Sequence, residues 1–61
     1  MFVIEAMGRR WNPSTQTWGE GRTKYVTRIS NRKRAIKWAL DKIEREYPGF
    51  PEYEATIIEG V

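Results

Sequence analysis

The chain has 61 residues, with eleven basic and eight acidic side chains, a net charge of +3, and neither cysteine nor histidine. A chain of this length forms one domain and buries only about 60% of the surface of its unfolded state. Because it lacks disulfides, thiolate ligands and the usual general base, we expect no metal, no cofactor and no enzymatic activity.

The first 29 residues are typical of a β-hairpin, with strands at 2–11 and 17–29. Asn12-Pro13-Ser14-Thr15 is strong turn chemistry, because proline fixes its own φ and keeps the preceding residue out of the helical region. A turn centred between Ser14 and Thr15 places residues opposite each other when their numbers sum to 29. This register predicts the cross-strand pairs Trp11 with Trp18, Arg9 with Glu20, Gly8 with Gly21, Glu5 with Lys24, Ile4 with Tyr25 and Val3 with Val26.

The hairpin alternates between an apolar face and a mixed face. The predicted core face carries Phe2, Ile4, Ala6, Tyr25, Thr27 and Ile29. The opposite face carries Val3, Glu5, Lys24, Val26 and Arg28. Gly8, Gly19 and Gly21 predict a bulge or bend that separates the base of the hairpin from a projecting tip.

A helix is predicted over residues 31–47, with Ser30 or Asn31 as its N-cap. Pro48-Gly49 ends it. Trp38 lies on the opposite side of the helical wheel from the apolar stripe, so we expect its indole to face away from the sheet. The stripe itself consists of Ile36, Ala39, Leu40, Ile43 and Tyr47.

The last strand is predicted at 53–59, with Ala55 and Ile57 on the core face and Ile58 on the opposite face. Residues 2–4 form the most apolar run and therefore suit the central strand. The sequence thus predicts a single α+β domain, residues 1–61, with a ββαβ order, a three-stranded sheet in the order 2-1-3 and one helix packed on one face.

Basic residues are concentrated in the first two thirds of the chain. Residues 1–40 carry nine basic and two acidic side chains, whereas residues 41–61 carry two basic and six acidic ones. Arg32, Lys33 and Arg34 fill the first helical turn, where the helix dipole favours acidic residues. Either this is a solvated basic turn that the fold tolerates, or its cations and free N–H groups bind an anion such as phosphate.

Aromatic residues accompany several of these cations. Trp11 and Trp18 stand near the hairpin tip, and Trp38 lies on the helix between basic neighbours. The indoles either stabilise the protein itself or contact a partner by base stacking or as interface anchors. The residues predicted to bind nucleic acid or another partner are Arg9, Arg10, Trp11, Trp18, Arg22, Arg32, Lys33, Arg34, Lys37 and Trp38.

The face of the sheet away from the helix carries Val3, Val26 and Ile58. If nothing covers them, they form an apolar patch through which two copies could dimerise by sheet stacking. The stems of Lys24 and Arg28 are the alternative cover.

The helix residues Ala35, Ala39 and Leu40, the segment Tyr47-Pro48-Gly49-Phe50 and the strand Glu54-Ala55-Thr56-Ile57-Ile58 resemble very small phage proteins, over about residues 23–60. The nearest are the T7-type phage inhibitors of bacterial RNA polymerase, and small phage anti-defence proteins are similar in size and architecture. The resemblance implies a non-enzymatic protein that works by occupying a surface.

Two functions remain open from the sequence. The first is nucleic-acid binding, to DNA or RNA, through the basic helix start and the basic, aromatic ribbon. The second is a phage-type inhibitor or regulator that binds an acidic surface of a host protein, such as RNA polymerase or a defence complex. No apolar run is long enough to span a membrane and no signal peptide is evident, so we expect a cytoplasmic protein without a membrane partner, in the host cytoplasm if it is phage-encoded.

Overall fold

The computed structural model describes residues 1–60 and contains four elements in the order ββαβ. They are β1 (Phe2–Asn12), β2 (Thr17–Thr27), α1 (Arg32–Glu46) and β3 (Glu52–Gly60). Both outer strands run antiparallel to β1, in the sheet order β2-β1-β3. The predicted α+β fold, the strand order and the packing of one helix on one sheet face are confirmed.

The register of the hairpin follows from its turn. Asn12 Oδ1 accepts a hydrogen bond from the Ser14 amide at 3.0 Å, and Gln16 closes the turn with a φ of 55°. All the predicted cross-strand pairs are present, including Trp11 opposite Trp18 and Arg9 opposite Glu20. Strand β2 ends two residues earlier than predicted because the Thr27 hydroxyl accepts a hydrogen bond from the Ile29 amide, which turns the chain towards the helix.

The centre of the core is made of small and aliphatic side chains between β1 and α1. Ala35 and Ala39 are completely buried and bring the helix close to the sheet, where Ile4 packs against them. The Asn31 side chain caps the helix by accepting a hydrogen bond from the Arg34 amide at 3.0 Å. Ile43 is buried as the sequence predicts, whereas the burial of Ala35 was not predicted.

The predicted orientation of Trp38 is wrong. Its indole is partly buried, packs against the core and meets the Tyr25 ring edge to face at a centroid distance of 5.9 Å. The helix lies mainly over β1 and β3. The space above β2 is therefore filled by Trp38 and Tyr25, and Lys42 Nζ lies 4.9 Å from the centre of the indole.

Gly8 and Gly21 face each other across an uninterrupted part of the β1–β2 ladder, so they do not form the predicted bulge. They leave room for aromatic rings instead. A Cβ on Gly21 would come within 2.5 Å of the Tyr47 ring, and a Cβ on Gly8 within 2.7 Å of the Phe50 ring. The irregularity in the sheet lies between Val3 and Ile4, where β1 pairs with β3.

The hairpin extends beyond the rest of the sheet. Strand β3 begins at Glu52, opposite Arg9, so residues 10–19 form a two-stranded ribbon with no third strand beside it. We call this segment the ribbon tip. All of its residues are exposed, and the molecule measures 42 × 18 × 15 Å. The predicted projecting tip is therefore present.

Candidate functional site at the ribbon tip

Trp11 and Trp18 form the aromatic part of the ribbon tip. They are a directly opposed cross-strand pair, and their rings meet at a centroid distance of 5.3 Å and an interplanar angle of 60°. Both remain close to half exposed, at 46% and 49%. The strand alternation places them on the sheet face opposite α1. The two indoles therefore stabilise each other and still present ring surface to solvent.

Two arginines flank the indoles on opposite faces of the ribbon. The Arg9 guanidinium carbon lies 4.6 Å from the centre of the Trp18 ring, on the face that carries both indoles. The Arg10 guanidinium carbon lies 5.8 Å from the centre of the Phe50 ring, on the helix side. Neither arginine forms an ion pair with a carboxylate in residues 1–60. Their charges are thus held by aromatic rings and remain available to an anion.

Of the two arginines beside the indoles, Arg9 is partly buried and Arg10 is exposed. The Arg9 Nε is enclosed and has no hydrogen-bond partner in the part of the chain that the structure describes. Contact with the Trp18 ring restrains the guanidinium. A fixed guanidinium loses less conformational entropy on binding than a free one.

Arg22 differs from the other predicted site residues because its charge is already used. It lies 3.6 Å from a Glu5 oxygen and 3.2 Å from a Glu20 oxygen. Both carboxylates stand on the same face of the sheet as Arg22. An arginine between two carboxylates contributes little net attraction for a phosphate, so the structure gives Arg22 a role in holding the ribbon.

The basic helix start lies at the other end of the molecule. The Arg32 guanidinium carbon lies 5.5 Å from the centre of the Phe2 ring, at the beginning of β1, whereas Trp11 is near its end. Nine extended residues separate these positions, which is about 30 Å. Lys33 and Arg34 are exposed beside Arg32. The predicted site is therefore two separate surfaces.

The two remaining predicted residues lie further along the helix, with Lys37 one turn beyond Lys33. Lys37 is exposed on α1 without an ion pair in residues 1–60, and Trp38 belongs to the core. At the helix start, the Asn31 side chain already accepts a hydrogen bond from the Arg34 amide. The ribbon tip is the surface where exposed indoles stand beside unpaired cations.

The turn at the end of the ribbon is polar and ordered. The Thr15 and Thr17 hydroxyls are 2.6 Å apart, and the Asn12 side chain closes the turn against the Ser14 amide. The ribbon tip contains one charged residue, Arg10, and no carboxylate. This composition favours contact with an anionic partner and offers hydroxyl and amide groups around the indoles.

One polar cluster was not predicted from the sequence. The Tyr25 hydroxyl donates a 2.5 Å hydrogen bond to Glu46, and the Thr23 hydroxyl lies 3.4 Å from the same carboxylate. Burial, followed by the interactions with Glu46, raises the pKa of Tyr25 to about 12. Glu46 lies 21 residues after Tyr25 and 23 residues after Thr23, so no local sequence motif indicates the cluster. It joins the hairpin to the last turn of α1.

Residues 1–60 enclose no pocket and contain no cluster of carboxylates that could hold a metal ion. Their one helix is neither long nor apolar enough to cross a membrane. Comparison of the chain with protein-family models, curated protein sequences and solved structures gives no match in any of the three. The geometry of the ribbon tip is thus the main support for a function.

Proposed function

We propose that this protein is a non-enzymatic nucleic-acid-binding module whose ribbon tip binds single-stranded DNA or RNA in the cytoplasm. The observation that carries the proposal is the pair of half-exposed indoles, Trp11 and Trp18, beside two arginines without ion pairs. Proteins that bind single strands commonly combine aromatic stacking surfaces with cations that follow the backbone.

The position of the indoles favours unpaired bases over a duplex. Side chains that wedge between base pairs stand at the apex of an arm and are apolar. Here the apex is Pro13-Ser14-Thr15-Gln16, a mostly polar turn, and the indoles stand on the flat face of the ribbon behind it. A base that is already unpaired can lie on such a face without the cost of opening a duplex.

The charges predict a modest electrostatic contribution. Arg9 and Arg10 are the cations beside the two indoles, whereas Arg22 is paired with carboxylates. On single strands each phosphate contact contributes about −0.7 to the slope of log affinity against log salt concentration. Two contacts give a slope of about −1.4. We therefore expect salt-sensitive binding with a large stacking contribution.

The experiment is a fluorescence titration of the protein with single-stranded oligonucleotides, with duplexes of the same sequence as comparison. Stacking of bases on the exposed indoles quenches tryptophan emission, while the partly buried Trp38 gives a constant background. We expect W11A and W18A to lose at least about fivefold in affinity each, because stacking contributes ~1–3 kcal/mol per base. Undetectable binding of single strands at low salt would refute the proposal, and preferential binding to duplexes would refute the stacking mode.

A protein-binding inhibitor of phage type is the second candidate. It is favoured by the sheet face away from α1, where Val26 and Ile58 are 59% and 50% exposed. Under this proposal the apolar face docks on a host protein and the basic residues attract its acidic surface. Affinity capture from a nuclease-treated lysate separates the two candidates, since a host protein retained without nucleic acid supports the second.

A further inference from the structure

The sheet face opposite α1 has a regular order of charges. We call this surface the open face. On each strand, two apolar residues stand at the ends and charged residues lie between them. The order on β1 is apolar, acidic, apolar, basic, apolar. The order on β2 is apolar, basic, basic, acidic, apolar. In register from the base of the hairpin to the tip, they are Val3, Glu5, Met7, Arg9 and Trp11 on β1, and Val26, Lys24, Arg22, Glu20 and Trp18 on β2.

The charges on the two sides of the middle row, which consists of Met7 and Arg22, are opposite in sign on each strand. On β1, Glu5 lies two residues before Met7 and Arg9 lies two residues after it. On β2, Glu20 lies two residues before Arg22 and Lys24 lies two residues after it. On β1 and β2, reversing the direction of the strands therefore exchanges the acidic and basic positions on either side of this middle row. A surface with this property is complementary to a reversed copy of itself.

We propose that the open face is the interface of a homodimer, in which a second copy stacks on it with its strands reversed. The two-fold axis crosses the strands at Met7, so that Met7 meets Met7 of the second copy. Glu5 then faces Arg9 of the second copy, and Lys24 faces its Glu20. Each of these pairs occurs twice because a two-fold interface is isologous.

The same charges disfavour the other simple arrangement, although it would place Arg22 on Glu54. A two-fold axis parallel to the strands would place Glu5 on Glu5, Arg9 on Arg9 and the β2 of one copy on the β3 of the other. Glu20 would then face Glu52, its neighbour in the same row across the sheet. Like charges in contact across an interface oppose association. The charge order therefore selects one symmetry.

The apolar residues fit the reversed stacking as well. Val3 and Val26 lie four positions from the axis in one direction, and Trp11 and Trp18 four positions in the other. Reversal places the valines of one copy on the indoles of the other. Val26, Trp11 and Trp18 are among the few large hydrophobic side chains that are exposed in the monomer. Their burial supplies the hydrophobic part of the association.

Two like-charge contacts remain, and both lie at the edges. Arg22 meets its own copy at the β2 edge, where Glu5 and Glu20 already neutralise it. Glu54, opposite Met7 on β3, meets its own copy at the other edge. The face is about 27 Å long and about 14 Å wide, smaller than a standard interface, so we expect weak association.

The first test is sedimentation velocity of the wild-type protein between about 1 µM and about 1 mM. We expect a concentration-dependent dimer. Met7→Lys places two cations on the axis beside Arg22 and should weaken the dimer at least tenfold. Ser30→Lys adds the same charge at an exposed residue away from the open face and should leave it unchanged. Val26→Lys, at an exposed site, repeats the test should the Met7 variant not fold.

A monomer at every concentration would overturn the proposal, and so would a dimer that both lysine variants of the open face leave intact. The symmetry is tested with a spin label on Thr15→Cys, since the chain has no other cysteine. Reversed stacking places the two turns at opposite ends of the dimer, about 45 Å apart. A separation below about 25 Å would show parallel strands and refute this arrangement. Binding of nucleic acid has no part in either measurement.

Discussion

The hydroxyl of Tyr25 donates a 2.5 Å hydrogen bond to Glu46, which joins the C-terminal part of β2 to the last turn of α1. Burial is the largest cause, and the adjacent carboxylate the second, of the rise in the pKa of Tyr25 to about 12 from an ordinary value of 10.0. The folded state therefore favours the protonated phenol. This stabilisation is fully present below pH 10.0 and is lost as the pH rises towards about 12.

We predict that Tyr25→Phe makes the free energy of unfolding less dependent on pH between about 9 and about 12. Urea melts of both proteins at a series of pH values measure this. Absorbance at 295 nm should show a tyrosine that ionises near pH 12 in the wild type and is missing from Tyr25→Phe. A variant with an unchanged pH dependence would show that the Tyr25–Glu46 contact does not favour the protonated phenol.

Gly21→Ala should destabilise the protein by about 1–3 kcal/mol, because the new methyl group would displace the Tyr47 ring. Gly19→Ala is the matched control on the same strand, since its Cβ would meet no atom closer than 3.8 Å. We expect the control to be neutral or slightly stabilising. Thermal melts of both variants compare them, and equal losses of stability would contradict the close packing of Tyr47 on Gly21.

Trp38→Ala should lower the stability by about 2 kcal/mol, since the partly buried indole fills the core above β2. For a domain of this size such a loss is a large part of the total stability. The melting temperature measures it. An unchanged melting temperature would mean that the indole contributes no packing and would restore its original assignment to a partner-binding surface.

Replacing Arg32, Lys33 and Arg34 by glutamine should leave the affinity for single strands within about threefold, because these residues lie about 30 Å from the indoles. Relief of the unfavourable helix-dipole interaction should offset the loss of the Arg32 contact with Phe2. The same fluorescence titration and a thermal melt measure both effects. A collapse of affinity would place the binding surface at the helix start.

Nucleic acid and the second copy should compete for the same indoles, because both would cover Trp11 and Trp18. We therefore expect a saturating oligonucleotide to shift the dimer towards the monomer in sedimentation velocity. Met7→Lys, which is monomeric under this proposal, should bind single strands at least as tightly as the wild type. Stable complexes of dimer and oligonucleotide would show that the two surfaces are separate.

The hairpin could be predicted almost completely from the sequence, because turn chemistry fixes the register and the register fixes every cross-strand pair. Trp38 could not, since the helical wheel gives an angle about the helix axis but not the position of the helix over the sheet. The helix lies over β1 and β3 because of tertiary packing, and this position determines which side of the helix is covered.

The separation of the two basic surfaces follows from the order of the elements along the chain and not from composition. The helix starts five residues after β2 ends, so its N-terminus must lie near the base of the hairpin, far from the turn. The ion pairs of Arg22 depended on side-chain conformation as well as register, because Glu5 is not its direct partner across the strands. Composition alone does not distinguish the ion-paired Arg22 from the cations that have no carboxylate partner.

The central position of β1 also affects how the chain reaches its native state. The strand that comes first in the sequence pairs on one side with its immediate neighbour and on the other with residues 52–60, the last strand. The hairpin closes through local contacts, whereas the second side must wait for nearly the whole chain. During synthesis the emerging hairpin therefore has an unsatisfied row of backbone groups along β1, and rapid docking of β3 protects it from other chains.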